Sequence, residues 1–554
     1  MRWFGQQKIS ITFWRTNMTR IKTSLFLLIL ILASGFSVSL YSRNQETEKL
    51  QNYQGTYECS PGAIYDPASI EEVQDIVRNA LVEGRTVMTG NRKFASQIDA
   101  ACTQDGEVQI TLKNMDKVVS FDASSKTITV QAGMRFNDLN EFLRSQELAV
   151  NMVTELGTFT IGGMLGSGTH GSTLSKPSNM IADYVTELKI VDGLGDVRTL
   201  TGEQLNAARV NLGVLGVVVE VTIQLEEAFK VAASVQGFRF DDKLEDVILN
   251  IARSNYSANI AWFPGLGRYT VTTYNPVPLD TPGNAYNAQA DVSDVQEFFF
   301  GLLFDALHEV PGSGLQCLAA AVRFSSRSTS YYRDVDTGKV LESPVGYSDR
   351  MQYFKCKDPD KCIWDRLPIA LQEVAIPIDD LPSWIADVRK VLAAHPRTCF
   401  PLNGIYFRFG KASPSYLGMN AGRDSAYLGI EYTLRQEGAA VPKNYFVNLE
   451  IEQMSLRKYH ARPHWGKNSV TIFEDMPTRY PKWNDFLAFK AEVDPYNIFT
   501  NPFWRRVSGE DPLDNYLTPG CNARGECYCQ SDEHCAAGTS CTSGAYYGDA
   551  NICR

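Results

Sequence analysis

Four residues with reactive or charged side chains stand in otherwise apolar or glycine-bearing surroundings: Glu373 in QEVAIP, Arg408 in GIYFRFG, and His464 and Lys467 in RPHWGKN. A carboxylate among apolar neighbours suits acceptance of a proton or hydrogen bond from a substrate hydroxyl. A lysine or arginine beside a reacting centre stabilises negative charge that develops there. Each also has a plainer role open to it: an exposed strand glutamate, an ion pair at a rim, a packed histidine, a surface lysine. A second feature, GTFTIGGMLGSGTHGS over residues 157–172, holds six glycines in sixteen residues. Read as a loop, it lets backbone amides approach a ligand closely, and amides that converge bind anions. His170 lies inside this stretch and is the first histidine of the chain, either held by hydrogen bonds in a tight loop or used chemically. Other reaction classes lack their residues, since the sequence has no GxSxG elbow, no HExxH and no Walker pattern.

These residues need a scaffold, and the chain around them alternates helical and strand-like patterning. Ser69 to Glu72 has the form of a capping box, after which Val73, Ile76, Val77 and Ala80 recur at helical spacing. Strand-like runs follow at 86–89, 108–112, 118–121 and 127–130, then a helix over 136–148. Further strands at 185–191 and 216–225 close a first domain over 59–228. Residues 229–450 mix strand-like and helical patterns, with a clear helix at 381–394, and form a second domain. Residues 451–510 carry RPHWGKN, and 511–554 form a loop-rich cysteine module. The layout is α+β.

At 554 residues, 44% hydrophobic and 21% charged, the chain has room for roughly two to four domains. A formal net charge of -10, with no long basic run, argues against nucleic acid as a partner. Residues 23–42 carry no charge, are dense in Leu and Ile, and follow Arg15, Arg20 and Lys22. The segment 1–42 is therefore a targeting signal, either cleaved, with Met18 as an internal start, or retained as a membrane anchor. Both readings place the body on the lumenal or outer side of the secretory pathway. Half of the twelve cysteines fall at or beyond Cys521. In an oxidising compartment such a dense, even set reads as disulfides; in cytosol, Cys527 and Cys529 near His534 and Cys535 read as metal ligands. The targeting segment favours disulfides and no metal. Asn255-Tyr256-Ser257 is a glycosylation sequon compatible with that compartment.

Five ordered segments resemble the FAD-binding domain of the vanillyl-alcohol-oxidase-type flavoproteins: the helix after Pro67 and Ser69, the loop at Gly90 to Arg92, TITVQAG, TIGGMLGSGTHG and NLGVLGVVVEVT. PHWGKN and DPYNIFTNPFW resemble the aldonolactone oxidase family, and GCNARGECYCQSDEHC with Cys541 and Cys553 resembles the tail of its plant-type L-gulono-1,4-lactone oxidases. The resemblance implies a two-subdomain FAD-binding domain, an α/β substrate domain and a small disulfide-rich module. It implies FAD held by Gly90, Asn91, Arg92, Lys93, Phe94, Ala95 and Ser96, and by Gly157, Thr160, Ile161, Gly162, Gly163, Gly166, Ser167, Gly168, Thr169, His170 and Gly171, with Gly216 and Val217 beyond them. Thr169 takes the position at which the family's side chain screens the flavin from oxygen. Lys467 would stabilise reduced flavin, His464 would orient substrate or cofactor, and Glu373 and Arg408 would contact substrate. The implied reaction oxidises a sugar lactone to an ascorbate-type product, with oxygen as acceptor and hydrogen peroxide released. Another carbohydrate or polyol as substrate, or a low-activity interaction protein on the same scaffold, stays open. One position departs from the family: Ala95 stands where many relatives carry a histidine bonded to the flavin, and no other histidine precedes His170. FAD is therefore expected to be non-covalent and a weaker oxidant.

Overall fold

The capping box sets the first helix. Ser69 Oγ accepts from the Glu72 N–H at 3.2 Å, and the Glu72 carboxylate turns back to the Ala68 N–H at 2.8 Å. The helix Ile70–Glu83 ends on Gly84 at φ 66°, a left-handed turn suited to glycine. Its apolar stripe of Val73, Ile76, Val77 and Ala80 packs on a three-stranded parallel sheet ordered Ala63–Tyr65, Val108–Ile110, Val87–Thr89. This computed structural model describes residues 49–51, 58–90, 106–150, 154–175, 179–240, 244–289, 313–354, 369–395, 399–433, 444–467 and 470–554. The targeting segment, the loop Asn91 to Ser96 with Ala95, and Cys102, Cys356 and Cys362 lie outside the described residues.

A five-stranded antiparallel sheet follows, ordered Val197–Leu200, Val185–Val191, Val217–Gln224, Thr127–Gln131, Val118–Asp122. The glycine stretch is not the loop that its composition suggests. Ile161–Ser167 is a helix, with Thr160 Oγ1 accepting from the Gly163 N–H at 3.3 Å and Gly168 closing it at φ 69°. Ile161, Met164 and Leu165, at i, i+3 and i+4, are fully buried and supply the helical period that six glycines conceal. Gly162 is set by close packing, since a Cβ there would meet the Ala132 Cβ at 3.1 Å.

The second half builds an eight-stranded antiparallel sheet, ordered Val345–Tyr347, Lys230–Arg239, Arg268–Val277, Ser257–Phe263, Ile405–Gly410, Ser425–Thr433, Ile369–Pro377, Arg462–Pro463. Strand side chains alternate between faces. Ile260, Trp262, Ile405, Phe407, Leu428 and Val374 share one face, buried against the helices Leu244–Ser254, Leu381–Ala394 and Tyr445–Lys458. The same period aims Tyr406, Arg408, Tyr427, Glu431 and Glu373 at the other face. The apolar face is the core; the polar face is left for a site.

Residues after the edge strand tie the halves together. Trp465 stacks between Phe473 and Tyr480, with ring centroids 5.7 and 5.4 Å away, and donates to the Leu417 carbonyl at 2.6 Å. Ile498 and Phe499 reach back into the core of the first sheet, and the Ile498 carbonyl accepts from the Val87 N–H at 2.7 Å.

In the tail, Cys521–Cys527, Cys529–Cys541 and Cys535–Cys553 are disulfides, which settles both the pairing there and the choice against metal ligation. Cys317–Cys399 bridges the second half, and Cys59 is also disulfide-bonded. The sequon asparagine is committed locally: Asn255 Nδ2 donates to the Ile251 carbonyl at 2.9 Å and its Oδ1 accepts from Asn275 at 3.1 Å. Among the described residues no helix is long and apolar enough to cross a membrane.

Candidate active site

The turn after the edge strand delivers His464 and Lys467. Strand pairing is continued by the His464 N–H, which donates to the Glu373 carbonyl at 2.9 Å. His464 Nδ1 then accepts from the Gly466 N–H at 3.0 Å, so in the neutral ring Nε2 carries the proton. Gly466 is needed for close approach, because a Cβ there would meet the Ser167 Cβ of the glycine-rich helix at 3.1 Å. The Lys467 ammonium ends 2.7 Å from Glu373 Oε2.

Glu373 is the hub of the site and only 1% exposed. Its Oε1 faces Arg408 Nη2 at 3.0 Å, and its Oε2 faces His170 Nε2 at 3.3 Å as well as Lys467. Burial alone would raise its pKa, but Arg408, Lys467 and His170 outweigh burial and hold the carboxyl well below its usual range. The exposed-glutamate reading of the sequence therefore fails: Glu373 is an ionised, buried counter-charge. Gly429 is its cross-strand neighbour. Arg408 also reaches Glu155 Oε2 at 3.5 Å, and the two carboxylates keep it charged despite burial.

Both histidines are nearly sealed, His170 at 3% and His464 at 5% exposure. Burial lowers the pKa of His170, opposed by Glu373. Burial and then Lys467 push His464 well below the ordinary histidine value. His170 Nδ1 lies 2.9 Å from the Gly171 carbonyl and Nε2 3.3 Å from the Glu373 carboxylate, so both ring nitrogens face acceptors. The donor atoms of His170, Glu373 and His464 lie within 4.8 Å of one another. Lys467 and Arg408 already exceed the carboxylate's single charge, so the group is an ion-pair network rather than a cation site.

Above this network opens a cavity of about 260 Å³. Of the residues singled out in the sequence, Gly90, Thr160, Gly162, Gly163, Gly166, Ser167, Thr169, His170, Gly216, Arg408, His464 and Lys467 line it. Glu373 lies beneath the wall rather than on it. Gly157, Ile161, Gly168, Gly171 and Val217 serve the scaffold: Ile161 and Val217 are core, and Gly168 ends the helix. Sequence reasoning passed over Gly133, Asn211, Gly213 and Phe503, although all four stood inside quoted motifs, and also Lys113, Glu155 and Glu431. Glu431 is found only from strand register, because it faces Leu371 across the sheet.

The wall away from Lys467 fits an extended dinucleotide with a pyrophosphate. Glycines from four separate segments meet there, at Gly90, Gly133, Gly163 and Gly213, the last at φ 72°. Thr89 lines the same wall, and its buried Oγ1 has no protein partner among the described residues. Lys113 supplies a cation at the wall. The N–H groups of these four glycines are bonded within the protein, so the wall offers a phosphate close approach over bare backbone, a free hydroxyl and a cation.

Residues 221–507, just over half of the chain, match the D-arabinono-1,4-lactone oxidase family. The chain belongs to that family. Within this lactone oxidase, residues 61–201 match an FAD binding domain and 518–554 the L-gulonolactone oxidase 2-like C-terminal domain. It is similar to L-gulonolactone oxidase 2 of Arabidopsis thaliana, at 28% identity over 541 residues covering 89% of each chain. It is also similar to the Mus musculus L-gulonolactone oxidase, at 25% identity covering 83% of this chain and 98% of the mouse protein. A solvent-stable cholesterol oxidase shares the fold, with a TM-score of 0.65 at 16% identity over 84% of this chain and 100% of that one. The lactone oxidase is thus an FAD-dependent oxidoreductase with the expected FAD-binding fold and disulfide-rich tail.

Proposed function

We propose that this lactone oxidase oxidises a sugar-derived lactone of the L-gulono-1,4-lactone kind, turning the ring hydroxyl beside the lactone carbonyl into a ketone that enolises to an ascorbate-type product. The observation that carries this reading is a buried, ionised Glu373 holding two cations, Lys467 and Arg408, at a cavity wall. Bound FAD would supply hydride acceptance at the carbinol carbon and two-electron transfer to oxygen, with hydrogen peroxide as the by-product. Gly90 and the glycine wall would hold its pyrophosphate, and Lys467 would stand by its ring.

The chain's own residues supply the rest. Arg408 and the Nε2–H of His464 donate to substrate oxygens and orient the carbinol. The hydroxyl proton goes to His170, whose ring nitrogens face the Gly171 carbonyl and Glu373. Once protonated, His170 has an acceptor at each ring nitrogen, the Gly171 carbonyl and Glu373, so proton uptake turns a lone-pair conflict into an ion pair. Lys467, fixed by Glu373, offsets negative charge arriving at the wall.

Anaerobic addition of L-gulono-1,4-lactone should bleach the flavin absorbance, and in air the same lactone, but not free sugars, should release peroxide steadily. A flavin that stays oxidised with every lactone tried would overturn the reading. Non-covalent FAD is part of the proposal, supported by the lack of any histidine before His170. Flavin fluorescence should leave the protein band on a denaturing gel. Placement in the secretory pathway is proposed likewise, supported by the absence of any free cysteine among the described residues. Protease protection of the body inside sealed microsomes, or its recovery from the medium, is the expected result.

A further inference from the structure

Glu431 lines the cavity beside Arg408, and the helix Ser313–Arg327, tied by the Cys317–Cys399 bridge, lies behind that part of the wall. The last turns of this helix bring two arginines over the polar sheet face. The Arg327 guanidinium sits 4.4 Å above the Tyr406 ring, and the Tyr406 hydroxyl, near Arg323, has no hydrogen-bond partner among the described residues. Both arginines face Glu431, which lines the cavity beside Arg408. Asn259 stands on the same face, one residue before the Ile260–Phe407 pairing. Glu373 is held by ion pairs to Arg408 and Lys467, whereas here four polar atoms cluster without a hydrogen bond. Arg323 Nε, Arg327 Nε, Glu431 Oε2 and Asn259 Oδ1 are buried with no hydrogen-bond partner among the described residues. Native interiors seldom tolerate such a concentration of unpaired groups unless a ligand or water completes them.

We propose that Arg323, Arg327, Glu431 and Asn259 form a subsite for a neutral vicinal diol, the hydroxyl-bearing arm outside the lactone ring. The set offers two N–H donors and two oxygen acceptors. A carboxylate, which only accepts, would leave Glu431 and Asn259 unmatched and meet like charge. A methyl or hydrogen would leave all four unmatched. Two adjacent hydroxyls both donate and accept, and match the set. The subsite rests on the lactone reading and sharpens it: the enzyme selects lactones whose exocyclic arm carries two hydroxyls over those whose arm carries one. Sites built to pair a hydroxyl discriminate strongly against analogues that lack it.

The test compares, on the holoenzyme, kcat/KM for L-gulono-1,4-lactone with that for the five-carbon lactone of the same ring configuration. Wild type should favour the six-carbon lactone by about tenfold or more. Glu431→Gln and Arg327→Lys, both close in size and checked by flavin spectrum and far-UV circular dichroism, should bring the two lactones within about threefold of each other through loss on the six-carbon one. Equal rates in wild type, or a preference that survives both substitutions, overturns the subsite. Should neither lactone bleach the flavin, the lactone reading falls separately, and the subsite is then scored with threitol. Threitol should raise the melting temperature of wild type and not of Glu431→Gln; no shift in wild type overturns the subsite as well.

Discussion

A single carboxylate organises the residues of the site. Glu373 holds Arg408 at 3.0 Å and Lys467 at 2.7 Å, and removing it strands two cations against a low-dielectric wall. Breaking a buried pair from one side typically costs about 3–5 kcal/mol. Glu373→Ala should therefore lower the melting temperature by several degrees and abolish flavin reduction by substrate, and an unchanged melting curve would refute the counter-charge role. His170 sets the acid limit. Its folded pKa lies below the ordinary 6.5 because of burial, so the ring stays neutral and able to accept a proton until the pH falls through that depressed value. The pH profile of kcat/KM should be flat through 6.5, fall only at lower pH, and lose this acid limb in His170→Gln, whose remaining rate should be lower by about two orders of magnitude. Resemblance to family motifs, with the residue types themselves, made Glu373, Arg408, His464 and Lys467 legible in the sequence. What they could not convey is that Glu373 is sealed: alternation says which residues share a face, not what covers that face. The glycine opposite, Gly429, looked like any strand glycine until register paired it with Glu373.

At the scale of elements, composition misled where packing decided. Six glycines suggested a loop, yet Thr160 caps a helix whose Ile161, Met164 and Leu165 are buried. Their spacing was readable, but helix propensity is a weak prior that tertiary burial overrides. By contrast, Ser69 and Glu72 declared the Ile70–Glu83 helix from sequence alone, and 381–394 matches the Leu381–Ala394 helix end to end, because each carries an uninterrupted apolar stripe. The Gly163 N–H is held by Thr160 at 3.3 Å, and this short helix walls the cavity through Gly162, Gly163, Gly166 and Ser167. Loss of an N-cap costs about 1 kcal/mol. Thr160→Ala should weaken FAD binding about threefold to tenfold in titrations of apoprotein, while Thr160→Ser should restore it. An affinity unchanged by Thr160→Ala would show that the helix does not depend on its cap.

At the scale of the whole molecule, the question is whether the cysteine-rich tail is peripheral. The helix Tyr445–Lys458 lacks an exposed face: every residue from Val447 to Leu456 is buried. A surface helix keeps one polar side, so something must cover this one, and the tail does. Ala550 and Ile552 pack on Tyr432, Tyr445 and Leu449. Glu450, fully buried, accepts N–H bonds from Ala545, Tyr546 and Tyr547 at 3.0, 2.6 and 2.7 Å and faces His395 Nε2 at 2.9 Å. Burial would raise its pKa, but His395 and these amides lower it on balance. Two residues on, Glu452 meets only Tyr528, and burial raises its pKa to about 8. The two shifts make opposite contributions. Glu450, with a depressed folded pKa, stabilises above the unfolded value of 4.5 and loses that stability as pH falls through its folded pKa. Glu452, with a raised one, favours folding below 4.5 and loses that contribution as pH climbs from 4.5 through about 8. Wild type should therefore lose stability between pH 5 and 8 on the order of 2 kcal/mol, and Glu452→Gln should flatten that decline. The same helix backs the sheet that carries Glu373 and Arg408, so truncation before residue 511 removes the cover from an apolar surface behind the active site. The truncated protein should melt at least 10 °C lower or aggregate, and should lose flavin with the fold. If it instead kept its melting temperature and its flavin, the tail would be an appendage, and the buried outer face of the Tyr445–Lys458 helix would have to be stable in water on its own.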